Sequence, residues 1–438
     1  MIAPTPTGYG RSVLLSLIIS GCTGDGGDSA RGAAADAPDV LVIVVDTLRS
    51  DRMSAYGYER QTTPNLEVLA ASGVTLEHVS AAYWTLPSVA TVMTSLSPFT
   101  HDCCEATDSG ADQPEYAPMS TVPETLAEVL QAAGYRTELL SRSNIIADGL
   151  NFDQGFDHFD RVDVAGSTKA ELSSLDSAEI LTDEVLIRLG IPSNAPRLTW
   201  VHYMDPHTPY EAPEGWLGMW SDAYDSTFDG SQSTLNALVG GKLSYTDEDV
   251  GKLLALYDEE IAYFDDQVGR LLSAVGDDTY VVLVGDHGEQ FGEHDGWYHR
   301  HLWQENLGTP LMFAGPGITP RGPSGAARTI DIAPTIAGLL GVPPSESWQG
   351  TDLSELLASD QLPGVWSLSG GTASSALVSP EGLKMISTRH GQALYDLTSD
   401  PSESTDVAAD RPEDVETMDE KLDELVEAYE SVAEELGI

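Results

Sequence analysis

Three residues able to bind a metal ion follow hydrophobic runs of the chain. Asp46 comes directly after Val40–Val45, and Asp286 and His287 come shortly after Thr279–Val284. One carboxylate at the end of a strand is ordinary, because turns and caps explain most of them. Two carboxylates and an imidazole at one sheet edge suit a divalent ion such as Ca²⁺, Mg²⁺, Mn²⁺ or Zn²⁺. The pattern therefore predicts one such ion at this edge.

A hydroxyl residue, Thr85, lies just ahead of a helical stretch, Val89–Leu96. Pro87 suits the first turn of that helix, because its missing N–H would have no partner there. Free backbone N–H groups and the helix dipole would favour a bound anion at this end. By itself the segment is a helix start with a structural threonine, and a chemical role for Thr85 depends on its neighbours.

The elements that must position these residues alternate between strands and helices. Four runs rich in β-branched or apolar residues predict buried strands: Val40–Val45, Leu198–His202, Thr279–Val284 and Leu311–Ala314. Helical spacing of apolar residues covers Thr125–Ala133 and Thr246–Ala274. Alternation of this kind predicts an α/β fold with a mixed, mainly parallel sheet flanked by helices. Sites in such sheets lie beyond the carboxyl ends of the strands.

The pattern changes after about residue 360. Short strands at Ala376–Val378 and Leu383–Thr388 flank a turn at Ser379–Gly382, and an acidic helix spans Asp414–Leu436. We therefore expect a catalytic domain at 39–360 and a small antiparallel sheet with a helix at 361–438.

Composition limits the classes of function. The chain has 438 residues, 41% of them hydrophobic, which suffices for one large domain with a small appendage. The net charge of −49 argues against nucleic acid as a partner, because the surface repels polyanions. General surface acidity that aids solubility is the simpler explanation of this charge, and a specific cation-binding role is the alternative. Three cysteines are too few for a disulfide framework.

The N-terminus is typical of an exported lipoprotein. Residues 1–21 combine Arg11 with the short apolar run Val13–Ile19, and Cys22 follows a lipobox-like Ile19-Ser20-Gly21. Residues 22–38 form a Gly-rich tether. We expect a lipid on Cys22 to anchor the protein to the cell envelope, facing the periplasm or the cell surface. A plain secretory signal with a chance cysteine is the alternative.

Several ordered motifs resemble those of the sulfatase family in the alkaline phosphatase superfamily. They occur between about residue 39 and about residue 405 and are Asp46–Arg52, Tyr56–Tyr58, Thr63–Leu66, Trp84–Ser88, Asp205–Tyr210, Gly285–Glu289, Gly292–His294, Pro310–Gly317, Asp331–Thr335, Leu394–Leu397 and Asp400-Pro401.

The resemblance implies a role for each matching position. Asp46, Asp286 and His287 would hold the metal, with the oxygen of Thr85 beside it, and Thr85 would be the nucleophile. His207 would bind the ester oxygens or protonate the leaving group. His299 falls where relatives place a Lys or His that contacts the same group. The further substrate-binding candidates are Arg49, Arg142, Asn144 and His301, the last a rival of His299.

The chain also departs from the sulfatase pattern. Sulfatases oxidise a Cys or Ser at the nucleophile position to formylglycine, and Thr85 cannot form that aldehyde. Val89 stands where the signature has an Arg, Thr47 where a second Asp is usual, and Ser141–Asn144 where relatives carry a Lys. Threonine nucleophiles occur among relatives that move phosphoryl groups.

The prediction is a metal-dependent hydrolase of sulfate or phosphate esters that acts through Thr85 without formylglycine. Its substrate would be a small molecule, or an ester on a glycan or lipid. Two alternatives remain: an envelope phosphotransferase of the phosphoglycerol or phosphoethanolamine type, and a degenerate binding protein that lost catalysis.

Overall fold

The fold is a large mixed sheet between helices, followed by a small antiparallel sheet. The computed structural model describes residues 37–101, 103–104, 106–107, 115–162, 177–322, 325–359 and 364–438. The predicted signal, Cys22 and nearly all of the tether lie outside the described residues. None of the described helices is long and apolar enough to cross a membrane.

The strands in chain order are β1 (Val40–Val45), β2 (Gly73–Val79), β3 (Ala106–Thr107), β4 (Glu115–Tyr116), β5 (Arg136–Ser141), β6 (His158–Arg161), β7 (Arg197–Tyr203), β8 (Tyr280–Gly285), β9 (Gln290–Phe291), β10 (Trp297–Tyr298), β11 (Gly308–Ala314), β12 (Ala326–Arg328), β13 (Ser367–Gly371), β14 (Ser374–Val378), β15 (Leu383–Thr388) and β16 (Gly391–Asp396). The α-helices are α1 (Pro64–Ser72), α2 (Thr85–Thr94), α3 (Pro98–His101), α4 (Leu126–Ala132), α5 (Ser177–Leu189), α6 (Gln232–Val239), α7 (Asp247–Leu272), α8 (Gln304–Leu307), α9 (Ile332–Leu340), α10 (Ser354–Leu357) and α11 (Pro412–Leu436).

The eight-stranded sheet has the order β12-β2-β11-β8-β1-β7-β5-β6. Its strands are parallel apart from β11, which runs antiparallel to both neighbours. The central strand β1 pairs with β7 on one side and β8 on the other, so the carboxyl ends of all three meet at one edge. The predicted α/β class is confirmed.

The sheet separates two hydrophobic cores, and β1 contributes to both. Val40, Val42 and Val44 pack into the core that contains residues of α2, α4 and α9. The alternate side chains of β1, Leu41, Ile43 and Val45, pack into the core beneath α1, α5 and α7. Burial of one such side chain contributes about 1.5–3 kcal/mol. Burial on both faces explains why β1 is an unbroken apolar run.

All four predicted strands of the large sheet are present, but four others were missed. Two of these, β2 and β5, carry polar residues that are nevertheless buried, such as His78 and Glu138. Glu138 forms an ion pair with Arg136 of the same strand. Because buried polar residues break the apolar run, strand periodicity is weak there.

The C-terminal segment forms the four-stranded antiparallel sheet β13–β16 with α11, as predicted. It contacts the segment that leads into α2: Gly370 N–H donates to the Ala81 carbonyl oxygen at 2.8 Å, and the Ser369 hydroxyl donates to the Ser80 carbonyl oxygen at 2.5 Å. The small sheet therefore supports the start of α2. The proposed domain division at residue 360 stays a prediction, since both parts belong to one compact unit. The neighbouring Cys103 and Cys104 are joined by a disulfide.

Candidate active site

The metal-binding candidates meet at the edge where β1 and β8 end. Val45 of β1 is in register with Gly285 of β8, which brings Asp46 and Asp286 side by side. His287 Nε2 lies 3.4 Å from Asp46 Oδ1 and 3.7 Å from Asp286 Oδ2. Ligand atoms of these three residues lie within 4.8 Å of one another. The sequence thus predicted three side chains that the fold does bring together.

Two carboxylate oxygens in this cluster have no hydrogen-bond donor in the described part of the chain. They are Asp46 Oδ1 and Asp286 Oδ2, and both residues are 1% exposed. The other oxygen of Asp286 accepts from the backbone N–H groups of Thr47 and His287, at 3.2 and 2.7 Å. Since a buried carboxylate without a partner is costly, the orphaned oxygens fit a bound divalent cation.

The electrostatics of the protein alone are unfavourable for two adjacent anions. Burial raises the pKa of Asp46, and the charge of Asp286 raises it further. Burial likewise raises the pKa of Asp286 and lowers that of His287. His287 Nδ1 is 2.9 Å from the Gly288 carbonyl oxygen, which assigns the proton to Nδ1 and leaves Nε2 facing the carboxylates. A cation would stabilise this arrangement of charged oxygens and neutral imidazole.

Thr85 is the first residue of α2, and its hydroxyl points into this cluster. Thr85 Oγ1 lies 3.4 Å from Asp46 Oδ2 and 3.2 Å from His287 Nε2, and the residue is 4% exposed. The helix N-terminus adds a partial positive charge at the same place. Ser88 anchors the helix start, because its hydroxyl donates to the Ala82 carbonyl oxygen at 3.1 Å.

Two further histidines, His207 and His299, lie beside the cluster. Their ring centroids are 5.5 Å apart, and the ring of His299 is 4.4 Å from that of His287. Burial lowers the pKa of His207, but the charges of Asp46 and Glu289 outweigh burial and raise the pKa above its ordinary value. Burial and the neighbouring His207 hold the pKa of His299 well below its ordinary value. The two neighbouring histidines therefore differ, His207 holding a proton more readily than an ordinary imidazole and His299 less readily.

Glu289 is a site residue to which sequence reasoning gave no role. Its side chain is fully buried, with Oε1 3.0 Å from His299 Nδ1. Its Oε2 accepts from the Tyr210 hydroxyl at 3.1 Å. Burial raises the pKa of Glu289 to about 7. The sequence signal for Glu289 was its position two residues after His287. Its partner His299 is ten residues further along the chain, so the contact between the two could not be recognised from the sequence.

His202 of β7 is fully buried behind the site. Its Nε2 lies 3.9 Å from Asp286 Oδ2, and its Nδ1 lies 3.2 Å from the Ser141 hydroxyl. His202 Nε2 makes no hydrogen bond among the described residues, so it adds a third unpaired buried atom beside Asp46 Oδ1 and Asp286 Oδ2.

Two of the predicted substrate-binding residues, Arg49 and Arg142, are buried and donate hydrogen bonds to groups of the protein. The Arg49 guanidinium is buried and donates to Asp51, to Glu293 and to the Glu289 carbonyl oxygen. Arg142 is buried and donates to the Val162 carbonyl oxygen at 2.7 Å. These contacts favour structural roles for both arginines.

The other two candidates for substrate binding lie at the surface. Asn144 is exposed, and His301 is exposed with Nδ1 2.9 Å from Gln290 Oε1. Substrate binding by Arg49, Arg142, Asn144 and His301 stays a prediction.

Two of the departures from the sulfatase pattern have a structural consequence. Val89 is fully buried in the core beneath α2, so apolar packing occupies the position of the signature Arg. Thr47 is buried with a positive φ of 56°, and its Oγ1 has no hydrogen-bond partner among the described residues. The neighbouring Thr47 N–H, in contrast, is used to hold Asp286.

A family model, curated relatives and a solved structure relate this chain to sulfatases and to a phosphonate monoester hydrolase. The Sulfatase family model matches residues 38–342. Arylsulfatase K of Xenopus laevis is 30% identical over 207 residues, which cover 42% of this chain but only 39% of that protein. The choline-sulfatase of Rhizobium meliloti (strain 1021) is 24% identical over 382 residues, covering 72% of this chain and 70% of that protein. The solved structure of the phosphonate monoester hydrolase of Agrobacterium radiobacter superposes with a TM-score of 0.71 at 22% identity, covering 90% and 96% of the two chains.

Proposed function

The chain belongs to the sulfatase family of the alkaline phosphatase superfamily, and from this premise we propose that it is a metal-dependent ester hydrolase whose nucleophile is Thr85. The observation that supports this most is the position of the Thr85 hydroxyl, 3.4 Å from Asp46 Oδ2 and 3.2 Å from His287 Nε2. Nearness to a carboxylate acceptor is what an activated hydroxyl nucleophile requires.

Asp46, Asp286 and His287 would hold one divalent ion, Ca²⁺, Mg²⁺, Mn²⁺ or Zn²⁺. Such an ion supplies a lowered pKa for a nearby hydroxyl and neutralises the non-bridging oxygens of the ester. The start of α2 adds backbone N–H groups that stabilise the same anionic oxygens. The metal site and the helix end together explain why an anionic ester would bind next to Thr85.

The reaction then proceeds in two displacements. Thr85 Oγ1 attacks phosphorus or sulfur while the bond to the alcohol oxygen breaks, and the hydroxyl proton passes to Asp46 Oδ2. His207, with its raised pKa, donates a proton to the departing alcohol oxygen. Water next attacks the phosphorus or sulfur of the covalent threonine ester, the bond to Thr85 Oγ1 breaks, and Asp46 Oδ2 returns the proton to Thr85, which releases the phosphate or sulfate product. His299, oriented by Glu289, is the neutral imidazole available to accept a proton from that water.

Phosphate-type esters fit a threonine nucleophile better than sulfate esters. A phosphothreonine is opened by water attacking phosphorus. A sulfated threonine would need S–O cleavage without the hemiacetal route that formylglycine provides to sulfatases. The names of similar proteins include both sulfate and phosphorus ester chemistry, since one relative is named a choline-sulfatase and a structural neighbour is named a phosphonate monoester hydrolase. The proposal places phosphoesters first and sulfate esters second.

Transfer to an acceptor alcohol is the second candidate function. It uses the same covalent Thr85 ester and differs only in the acceptor. The lipobox-like segment before Cys22 favours it, because a lipid anchor would hold the site near glycan or lipid acceptors of the envelope. Export and lipid anchoring are themselves proposals of the same kind.

The test is turnover by the purified full chain of an aryl phosphodiester, an aryl phosphate monoester and an aryl sulfate, with divalent metals added one at a time. Thr85→Ala is the diagnostic variant. Thr94→Ala is its control, because Thr94 is a buried threonine of α2 that donates to the Ala90 carbonyl oxygen. Phosphoester turnover lost only in Thr85→Ala supports the proposal. Turnover that survives Thr85→Ala refutes the nucleophile, and a chain that binds no metal and turns over none of the three esters favours the degenerate binding protein.

A further inference from the structure

A second group of metal-ligand side chains lies outside the active site. It consists of His294, Glu305 and Glu403, which we call the His294 cluster. His294 belongs to the short 3₁₀ turn before β10, Glu305 to α8, and Glu403 to the loop between β16 and α11. Two segments eleven residues apart and a third about one hundred residues further along the chain thus each contribute one side chain. None of the three was assigned a chemical role by the sequence.

The geometry of the His294 cluster is that of convergent ligands. One ligand atom from each residue lies within 4.8 Å of the others. His294 Nε2 is 3.7 Å from Glu305 Oε1, too long for a hydrogen bond but short enough for two ligands of one ion. The ring of His294 is stacked on Trp303 with centroids 3.8 Å apart and planes 11° apart, which holds the imidazole in one orientation.

A buried oxygen without a donor is the independent sign of a missing ligand. The Glu305 side chain is 9% exposed, and its Oε2 accepts no hydrogen bond within the described ranges. A carboxylate in that position loses its hydration without compensation. The oxygen belongs to the same carboxyl group that faces His294, so a cation between the two would satisfy it.

Glu403 can contribute although it already has partners. Its side chain is fully buried, with Oε1 2.8 Å from Lys384 Nζ and Oε2 accepting from the Gln304 N–H at 2.6 Å. An ionised carboxylate has about four lone-pair positions, so these two contacts leave room for a third. Lys384 forms its ion pair with Glu403, and Glu305 feels the charges of Lys384 and Arg49 without a direct ion pair to either among the described residues.

We propose that His294, Glu305 and Glu403 bind a second divalent metal ion, of the Zn²⁺ class, which accepts imidazole nitrogen together with carboxylate oxygen. The ion would link the C-terminal part of the chain, through Glu403, to α8 and to the segment that carries His299 five residues beyond His294. Its role is structural, because it braces the segment that presents His299 to the active site. The proposal does not depend on the chemistry assigned to Thr85.

The experiment measures the number of Zn²⁺ ions bound per full-length chain, by elemental analysis after metal removal and equilibrium dialysis against Zn²⁺. Wild type should bind two, and the near-isosteric variants His294→Gln and Glu305→Gln should each bind one. Asp286→Asn should also bind one, because it loses the active-site ion instead. Asp295→Asn, an exposed carboxylate next to His294, is the control for surface acidity and should still bind two.

Thermal unfolding of each variant is followed with and without Zn²⁺. His294→Gln and Glu305→Gln should lose part of the Zn²⁺-dependent rise in Tm, and Asp295→Asn should keep all of it. Wild type that binds a single ion, absent in Asp286→Asn, would overturn the proposal. Two ions retained in both His294→Gln and Glu305→Gln would overturn it equally, as would an equal loss in Asp295→Asn.

Discussion

Replacement of Glu289 by Gln removes a carboxyl group that, with its pKa raised to about 7 by burial, is fully charged only above neutral pH, while the size of the side chain stays the same. In the wild type, Glu289 Oε1 is 3.0 Å from His299 Nδ1 and Oε2 accepts from the Tyr210 hydroxyl, within a fully buried environment. When ionised, the carboxylate favours the Nδ1–H tautomer of His299, which leaves Nε2 without a proton. A Gln oxygen can still accept this hydrogen bond, but without the charge.

The magnitude follows from the kind of hydrogen bond that is changed. A hydrogen bond to a charged group contributes about 1.5–3 kcal/mol, roughly twice the contribution of a neutral one. Glu289→Gln should therefore weaken the hydrogen bond that orients His299 by about 1–1.5 kcal/mol. If the activation free energy rises by the same amount, kcat falls about 5- to 13-fold. KM should change little, because Glu289 touches His299 and not the substrate.

The assay is steady-state kinetics on the best aryl ester, with metal content and thermal unfolding measured on the same samples. The pH profile of kcat should also change, since the charge that holds the His299 tautomer is gone. Tyr210→Phe is the matched control: it removes a donor to Glu289 but leaves the carboxylate on His299, and we expect a smaller loss. Unchanged kcat and pH profile in Glu289→Gln would refute the positioning role, and loss of bound metal would show that Glu289 acts on the metal site instead.

Four further predictions follow from the described contacts. Thr85→Ser keeps the nucleophilic oxygen but lets the side chain rotate among three staggered rotamers in place of one, so kcat should fall by up to about threefold. A loss of kcat as large as that in Thr85→Ala would contradict this prediction. Added divalent metal should raise the free energy of unfolding by about 2.7 kcal/mol at 100 times its Kd, and Asp46→Asn should reduce this rise as measured in urea. Burial lowers the pKa of His78 to about 3, so the folded protein keeps this histidine neutral. The unfolded chain protonates it below about pH 6.5. The contribution of neutral His78 to the free energy of unfolding is therefore complete above pH 6.5 and is lost as the pH falls from there towards 3. His78→Gln, which can still bond Thr309 and Thr329, should therefore lower the pH slope of unfolding free energy by up to about 1.4 kcal/mol per pH unit between pH 6 and 5. Asp258→Asn should cost about 1–3 kcal/mol in urea unfolding, because the buried Asp258 carboxylate accepts hydrogen bonds from Arg52 and Arg60 that an amide cannot fully replace. Asp266→Asn at an exposed position of α7 should cost little.

Much of the fold was predictable because its central strands are chemically uniform. β1, β7 and β8 are almost wholly apolar, and they are buried on both faces. The polar residues after such strands must then meet at one edge, which is how Asp46, Asp286 and His287 were predicted together. β5 was missed because Glu138, which pairs with Arg136 of the same strand, breaks the apolar run. β2 was missed because His78 is buried only through Thr309 and Thr329, partners that are distant in the sequence. A local pattern contains no information about such partners.

The sequence by itself determined which atoms the site has available. A threonine at position 85 cannot be oxidised to the formylglycine aldehyde, and Asp46, Asp286 and His287 supply two carboxylates and one imidazole that could hold a metal ion. Residue types and strand-end positions are local properties, so they can be recognised without coordinates.

The tertiary structure decided how those atoms are used. It directed Arg49 towards Asp51 and Glu293, and it placed Glu289 behind His299. Several such contacts join residues far apart in the chain, as with Arg49 and Glu293, which are separated by 244 positions. Their formation depends on strand order and core packing, because a side chain takes whichever partner the fold brings within hydrogen-bond distance.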